Sequence, residues 1–181
     1  MPKSRGSLRF LLVASRLFTQ ALIPTDYVYA NRDWRSEMLN QINIIRQEVG
    51  VKPLLLCTSL NNLSQNYAAN VASNDFFSHN GKNGSTLISR TKKAGYVAAS
   101  EARKFAIGEN IAKGQISVKE VMRAWRNSKG HYKNMIDVNF THVGFGRSKD
   151  ENSMNKLFWV QNFGTGGNCT EEFKRTYRSG P

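Results

Sequence analysis

Residues 117–163 read SVKEVMRAWRNSKGHYKNMIDVNFTHVGFGRSKDENSMNKLFWVQNF, and this stretch decides the fold. Ser117 and Glu120 have the spacing of a capping box, in which each side chain satisfies a backbone donor at a helix start. Val118, Val121, Met122 and Trp125 recur at helical spacing and predict one buried helix face. Gly130 is expected to end or bend that helix. Two strands follow. One covers 142–146, where Gly144 and Gly146 would let another backbone approach closely. The other covers 157–163 and is apolar on both faces in its first half, as a strand covered on both sides would be. The polar segment 147–156 has the length of a hairpin loop.

Upstream, Met38, Leu39, Ile42, Ile45 and Val49 predict an amphipathic helix over 35–49, stopped by Gly50 and Pro53. Thr58 or Ser59 can cap a second helix with the stripe Leu60, Leu63, Tyr67, Ala68 and Val71. A short third helix is expected from about Ser85 to Gly95, with Leu87, Ile88 and Thr91 inward. Residues 96–116 are less regular and read as a strand or an extended loop against the core. Helices first, then a helix flanked by strands, make a layered α+β domain.

The ends differ from this body. Residues 1–30 begin with Lys3, Arg5 and Arg9, continue through apolar blocks split by Arg16, and exit at Val28-Tyr29-Ala30. That is the pattern of an export signal, and it is too short and interrupted for a membrane span. Domain boundaries are expected at 31–167, with a basic tail over 168–181. Without the first thirty residues the chain stays strongly basic.

The chain has 181 residues and a formal net charge of +13. Such a charge favours anionic partners, such as acidic lipid headgroups or envelope polymers, without choosing among them. Nucleic acid is disfavoured: no interleaving of aromatic and basic residues, zinc-finger spacing or phosphate loop is present. The two cysteines, Cys57 and Cys169, leave two readings open: one disulfide in an exported protein, or two small buried thiols. Asn139-Phe140-Thr141 and Asn168-Cys169-Thr170 match the glycan acceptor pattern, which would be idle in a bacterial protein.

Six motifs in order resemble one family. They are Leu39-Asn40-x-Ile42-Asn43-x-x-Arg46 with Pro53-Leu54; Phe77-Ser78-His79-Asn80-Gly81; Gly108-Glu109-Asn110-Ile111-Ala112; Trp125-x-x-Ser128-x-Gly130-His131-x-x-Asn134; Phe140-Thr141-His142-Val143-Gly144-Phe145-Gly146; and Trp159-Val160-Gln161-Asn162-Phe163-Gly164. Together they resemble the CAP superfamily (cysteine-rich secretory, antigen 5 and pathogenesis-related proteins, with an SCP-like domain) in its compact bacterial form. The resemblance implies a three-layer α-β-α sandwich with a central antiparallel sheet.

It also implies a cleft with two histidines and two glutamates, sometimes with zinc. His79 and Glu109 match two of those positions. Ser128 stands where the second glutamate would be, and the second histidine position falls to Asn139 or is supplied by His131. Four readings follow. His79, His131 and Glu109 are of the right type to hold Zn²⁺ with an open position for water, the basis of a zinc-dependent hydrolase. Ser128, His131 and Glu109 are of the right type for nucleophile, base and orienting acid, provided one helix runs through Gly130. The reading preferred here is a non-catalytic binding module for a lipid, an envelope component or a host protein. A structural or host-interaction protein without a small-molecule site is the remaining alternative. Asn134 is expected to tie neighbouring segments rather than contact a ligand.

Overall fold

The computed structural model describes residues 33–149 and 156–169. The expected export signal with its expected exit at 28–30, the loop tip at 150–155 and the expected tail from 170 onward lie outside the described residues.

The first helix, α1 (Trp34–Glu48), starts at Asp33, whose carboxylate accepts from the Arg35 amide at 3.1 Å. Its buried face is Met38, Ile42, Ile45 and Arg46. Val49, expected in the stripe, is 44% exposed because it caps the helix and turns away. The Gly50 and Val51 amides fold back onto the Gln47 and Arg46 carbonyls, which closes the last turn. A short strand, β1 (Leu55–Leu56), leads into α2 (Thr58–Ser73). The α2 stripe is buried as expected, but its cap is Cys57, not Thr58 or Ser59. Cys57 lies where the chain leaves the sheet, and its carbonyl accepts the Asn61 amide at 2.8 Å.

Helix α3 (Leu87–Lys93) opens on a capping box of Thr86 and Ser89. Thr91 is buried, whereas Ile88 is 61% exposed rather than inward, because seven residues bury only one narrow side. The irregular stretch resolves into a regular strand, β2 (Ala106–Lys113). Helix α4 (Val118–Asn127) buries Val118, Val121, Met122 and Trp125. The Ser117 hydroxyl accepts from the Glu120 amide, while the Glu120 carboxylate reaches one residue further back, to the Ile116 amide. The helix does not run through Gly130. It breaks at Ser128, which is extended (φ −98°, ψ 119°), and α5 (Lys129–Met135) begins immediately after it. Strands β3 (His142–Lys149) and β4 (Leu157–Thr165) each run longer than their apolar cores suggest, because backbone pairing continues where side chains turn polar.

The sheet order is β1-β3-β4-β2. The β3–β4 and β4–β2 pairs are antiparallel, and only the two-residue β1 adds a parallel edge. Alternation along β4 assigns its two faces. Trp159 and Phe163 join the core with α1, α4 and α5, while Phe158 and Val160 join Tyr67, Ala68 and Val71 of α2. The fold is therefore an α+β sandwich with helices on both faces of the sheet. On the α2 side, Gly144 and Gly146 face the helix backbone. A Cβ at either would sit 2.1 Å from a main-chain carbon, of Leu60 and Ser64 respectively. These glycines let α2 lie flat on the sheet, which fixes the height of every side chain between them.

Cys57 and Cys169 form a disulfide, with Cα atoms 5.3 Å apart across 112 residues of sequence. It closes a cluster with Leu60, Leu63 and Tyr96, and pins the end of β4 to the start of α2.

Candidate functional site

Sheet register builds the site. Gly144, Asn162 and Glu109 lie side by side across β3, β4 and β2. Asn162 and Glu109 thus point to the same face, under α2, and Asn162 Nδ2 donates to Glu109 Oε2 at 3.1 Å. The Ser64 hydroxyl of α2 lies 2.9 Å from Asn162 Oδ1 and 3.1 Å from the Gly144 carbonyl. The Glu109 side chain is 2% exposed. A carboxylate so buried needs charged or hydrogen-bonding partners.

It has three. Arg90 Nη2 donates to both Glu109 oxygens, at 3.1 and 2.9 Å. Asn162 holds Oε2, and His79 Nδ1 lies 3.0 Å from Oε1. An ionised carboxylate only accepts, so Nδ1 carries the proton and Nε2 is left to the outside. The Arg90 guanidinium is itself fixed. Its Nη1 donates to the His79 and Ser85 carbonyls at 3.0 and 3.1 Å, and its face lies 3.5 Å from the Tyr67 ring centre. Tyr67 in turn donates to the Ser78 carbonyl at 2.6 Å, tying down the segment that carries His79.

His131, on α5, approaches from the opposite helical layer. Its carbonyl accepts from Asn110 Nδ2 at 3.1 Å. Asn134 Nδ2 lies 2.9 Å from Asn110 Oδ1 and 3.4 Å from the Glu109 carbonyl, the tie between segments expected of it. The two imidazoles feel each other. Burial, then the charge on His79, pushes the His131 pKa down. The hydrogen bond to Glu109 raises that of His79 against burial, with the carboxylate's charge adding and Arg90 opposing.

These shifts have opposite consequences. The His79 contribution to stability is complete below the unfolded value of about 6.5 and fades as pH rises through the raised folded value. The His131 contribution is complete above about 6.5 and is lost as pH falls through its lowered value. An NMR titration of both side chains is expected to place the His79 midpoint above His131's. In Glu109→Gln the His79 midpoint falls back. Coincident or reversed midpoints in the unaltered chain would contradict this geometry.

The sequence-derived candidates therefore separate. His79 and Glu109 are joined directly, and His131 feels the charge of His79. Asn139 turns away: its side chain bonds to Asp137 Oδ1 at 2.8 Å and accepts from Lys104 at 2.6 Å. Ser128 caps α5 without a side-chain cap bond, and among the described residues its hydroxyl makes no hydrogen bond to His131. The single helix expected to carry both is not formed: Ser128 is extended and only caps the helix on which His131 lies.

Zinc held by His79, His131 and Glu109 fits poorly. Both carboxylate oxygens face the Arg90 guanidinium, so a metal bound there would have to displace a fixed cation. Among the described residues no three His, Cys, Asp or Glu side chains form a group able to hold a metal. Sequence reasoning missed Arg90. The available signal was Glu109 itself, a carboxylate inside the stretch Gly108-Glu109-Asn110-Ile111-Ala112 expected against the core, which calls for a cation from elsewhere in the chain once it is buried.

The profile of the cysteine-rich secretory protein family, CAP, matches residues 39–163. The chain belongs to this family. The uncharacterized protein YkwD of Bacillus subtilis is 32% identical over 130 residues, 72% of this chain and 46% of YkwD. The chain thus spans less than half the length of that relative. An extracellular SCP-domain protein of Bacillus anthracis superposes with a TM-score of 0.60 at 25% identity, covering 71% of this chain and 39% of that one. An outer surface protein of Borrelia burgdorferi gives 0.61 at 22% identity, covering 72% and 91%, a likeness of fold alone.

Proposed function

We propose that this chain is an exported CAP domain that acts by binding rather than by catalysis, towards a lipid, an envelope component or a host protein. The observation that carries this is the closed network at Glu109. Its carboxylate is satisfied by Arg90, His79 and Asn162, and among the described residues Ser128, the candidate nucleophile, has no base bonded to it. General-base chemistry needs the base within hydrogen-bond reach of the proton it takes.

Export is supported by the Cys57–Cys169 disulfide, since such bonds persist in oxidising compartments. The extracellular description of the Bacillus anthracis protein points the same way. Among the described residues no helix is long and apolar enough to cross a membrane. The net charge of +13 favours anionic surfaces over neutral ones.

Flotation of the full chain with vesicles tests the lipid version. Co-flotation with phosphatidylglycerol but not phosphatidylcholine, lost at high salt, is the expected result. Absence from both would remove lipid and leave envelope polymers and host proteins. The proximity of His79 and His131 favours one alternative, a zinc-dependent hydrolase. Metal content separates it from binding.

A further inference from the structure

Two Asn-Gly pairs follow each other closely in His79-Asn80-Gly81-Lys82-Asn83-Gly84-Ser85. A glycine after asparagine leaves the next main-chain nitrogen unshielded by any side chain. That nitrogen can attack the asparagine's own side-chain carbonyl. The two pairs are alike in sequence, and the structure separates them.

Gly81 is buried. Its N–H donates to the Ser85 carbonyl at 2.9 Å, and a Cβ on it would run into Ser85 Oγ. Asn80 is tied by its main-chain N–H to Ser78 Oγ at 3.1 Å, and its side chain makes no hydrogen bond among the described residues. Ring closure at Asn80 therefore has to open a packed peptide, with no donor waiting for the side-chain oxygen.

Asn83 and Gly84 are both exposed. Gly84 has φ +76°, and no atom lies within 4 Å of where its Cβ would be. Asn83 Oδ1 accepts the Ser85 N–H at 3.1 Å. As Gly84 N closes on Asn83 Cγ, negative charge grows on that oxygen, and a donor already aimed at it stabilises the charge. The Gly84 N–H donates to the Gly81 carbonyl at 2.9 Å, a bond at an exposed position, where local opening costs least.

We infer that Asn83 is a self-modification site, converted to aspartate or isoaspartate in the folded chain while Asn80 is held back. The Gly84 N–Cγ bond forms and the Cγ–Nδ2 bond breaks. The amide nitrogen leaves as ammonia, taking the proton of Gly84 N. Water then opens the ring. Addition at Cγ gives aspartate on an unchanged main chain. Addition at the Asn83 main-chain carbonyl gives isoaspartate, in which the chain runs through Cγ.

The consequence reaches Glu109. The Ser85 carbonyl that closes this turn also accepts Arg90 Nη1 at 3.1 Å. Isoaspartate lengthens the main chain inside the turn and so disturbs an anchor of the cation paired with Glu109. Aspartate keeps an acceptor for the Ser85 N–H and leaves the turn closed. This goes beyond the binding-module reading and does not depend on it.

Ageing of the full chain in warm, mildly alkaline buffer, followed by peptide mapping at intervals, tests the inference. The chain held unfolded in urea is the reference, since both pairs are then free and are expected to react alike. In the folded chain Asn83 is expected to keep its urea rate. Asn80 is slowed about tenfold, the size of one or two hydrogen bonds that must open first. Asn83→Ser, which retains an acceptor for the Ser85 N–H and lacks the amide, is expected to age without change at that position and to keep the thermal midpoint of the unaltered chain. Equal slowing of both asparagines on folding would overturn the inference and make the turn a guard for the two pairs. Faster reaction at Asn80 than at Asn83 would overturn it as well.

Discussion

Replacing Arg46 by methionine lowers the unfolding free energy by about 3–5 kcal/mol, the cost of breaking a fully buried charged group's network. Arg46 is 0% exposed. Among the described residues no carboxylate bonds to it. Its guanidinium instead donates to four carbonyls: Lys52 at 2.7 Å, Met135 at 2.9 Å, Asp137 at 3.0 Å and Phe140 at 3.1 Å. Burial lowers its pKa, and the charge of Asp137 opposes that shift. These carbonyls belong to the turn after α1 and to the segment that carries the chain from α5 into β3. Methionine fills the volume and supplies no donor, so the carbonyls lose their partners where water does not reach. Urea unfolding followed by the buried Trp125 and Trp159 fluorescence measures this. A loss under about 1 kcal/mol, the size of an ordinary surface change, would mean that the segment finds other donors.

Removing the disulfide has the next largest effect. Cys57→Ala/Cys169→Ala is expected to cost about 2–5 kcal/mol, as loss of a native disulfide does in small secreted domains. The closed loop is long, 112 residues, and the entropy it removes from the unfolded chain grows with loop length. Reduction of the unaltered chain should lower the urea midpoint by a similar amount. Equal midpoints for oxidised and reduced protein would show that the bond contributes nothing beyond the packing of Cys57 against Leu60 and Tyr96.

The contrast between these residues and those read from sequence is a contrast of range. Helix α4 was legible because its signals are local: Ser117 and Glu120 at its start, then four apolar residues on one face. Gly144 and Gly146 were legible because small residues inside an apolar strand imply a close neighbour. Position 128 was misjudged because Gly130 drew the stop, although Ser128 is itself a good cap for a fresh helix. The site was legible only in part. Glu109 and His79 came together through family resemblance, since nothing local links residues thirty apart. Arg90 sits in Ser89-Arg90-Thr91-Lys92-Lys93, a basic run inside the expected short helix, where nothing local marks one cation as buried. Its bond to Glu109 depends on where α3 docks beside β2. Arg46 is hidden in the same way, as one polar letter in an amphipathic helix. Its partners lie near 135–140, beyond any local pattern.

Glu109 is closed off by Arg90, and we propose that the cleft so formed binds or braces without holding a hydrolytic metal. Zinc content measures this most directly. The full chain is dialysed against trace zinc and analysed beside His79→Ala, His131→Ala and Arg90→Ala. No stoichiometric zinc is expected in the unaltered chain, because the carboxylate is already paired with a guanidinium. One zinc per chain, lost in both histidine variants, would contradict it and place metal-assisted hydrolysis ahead of binding.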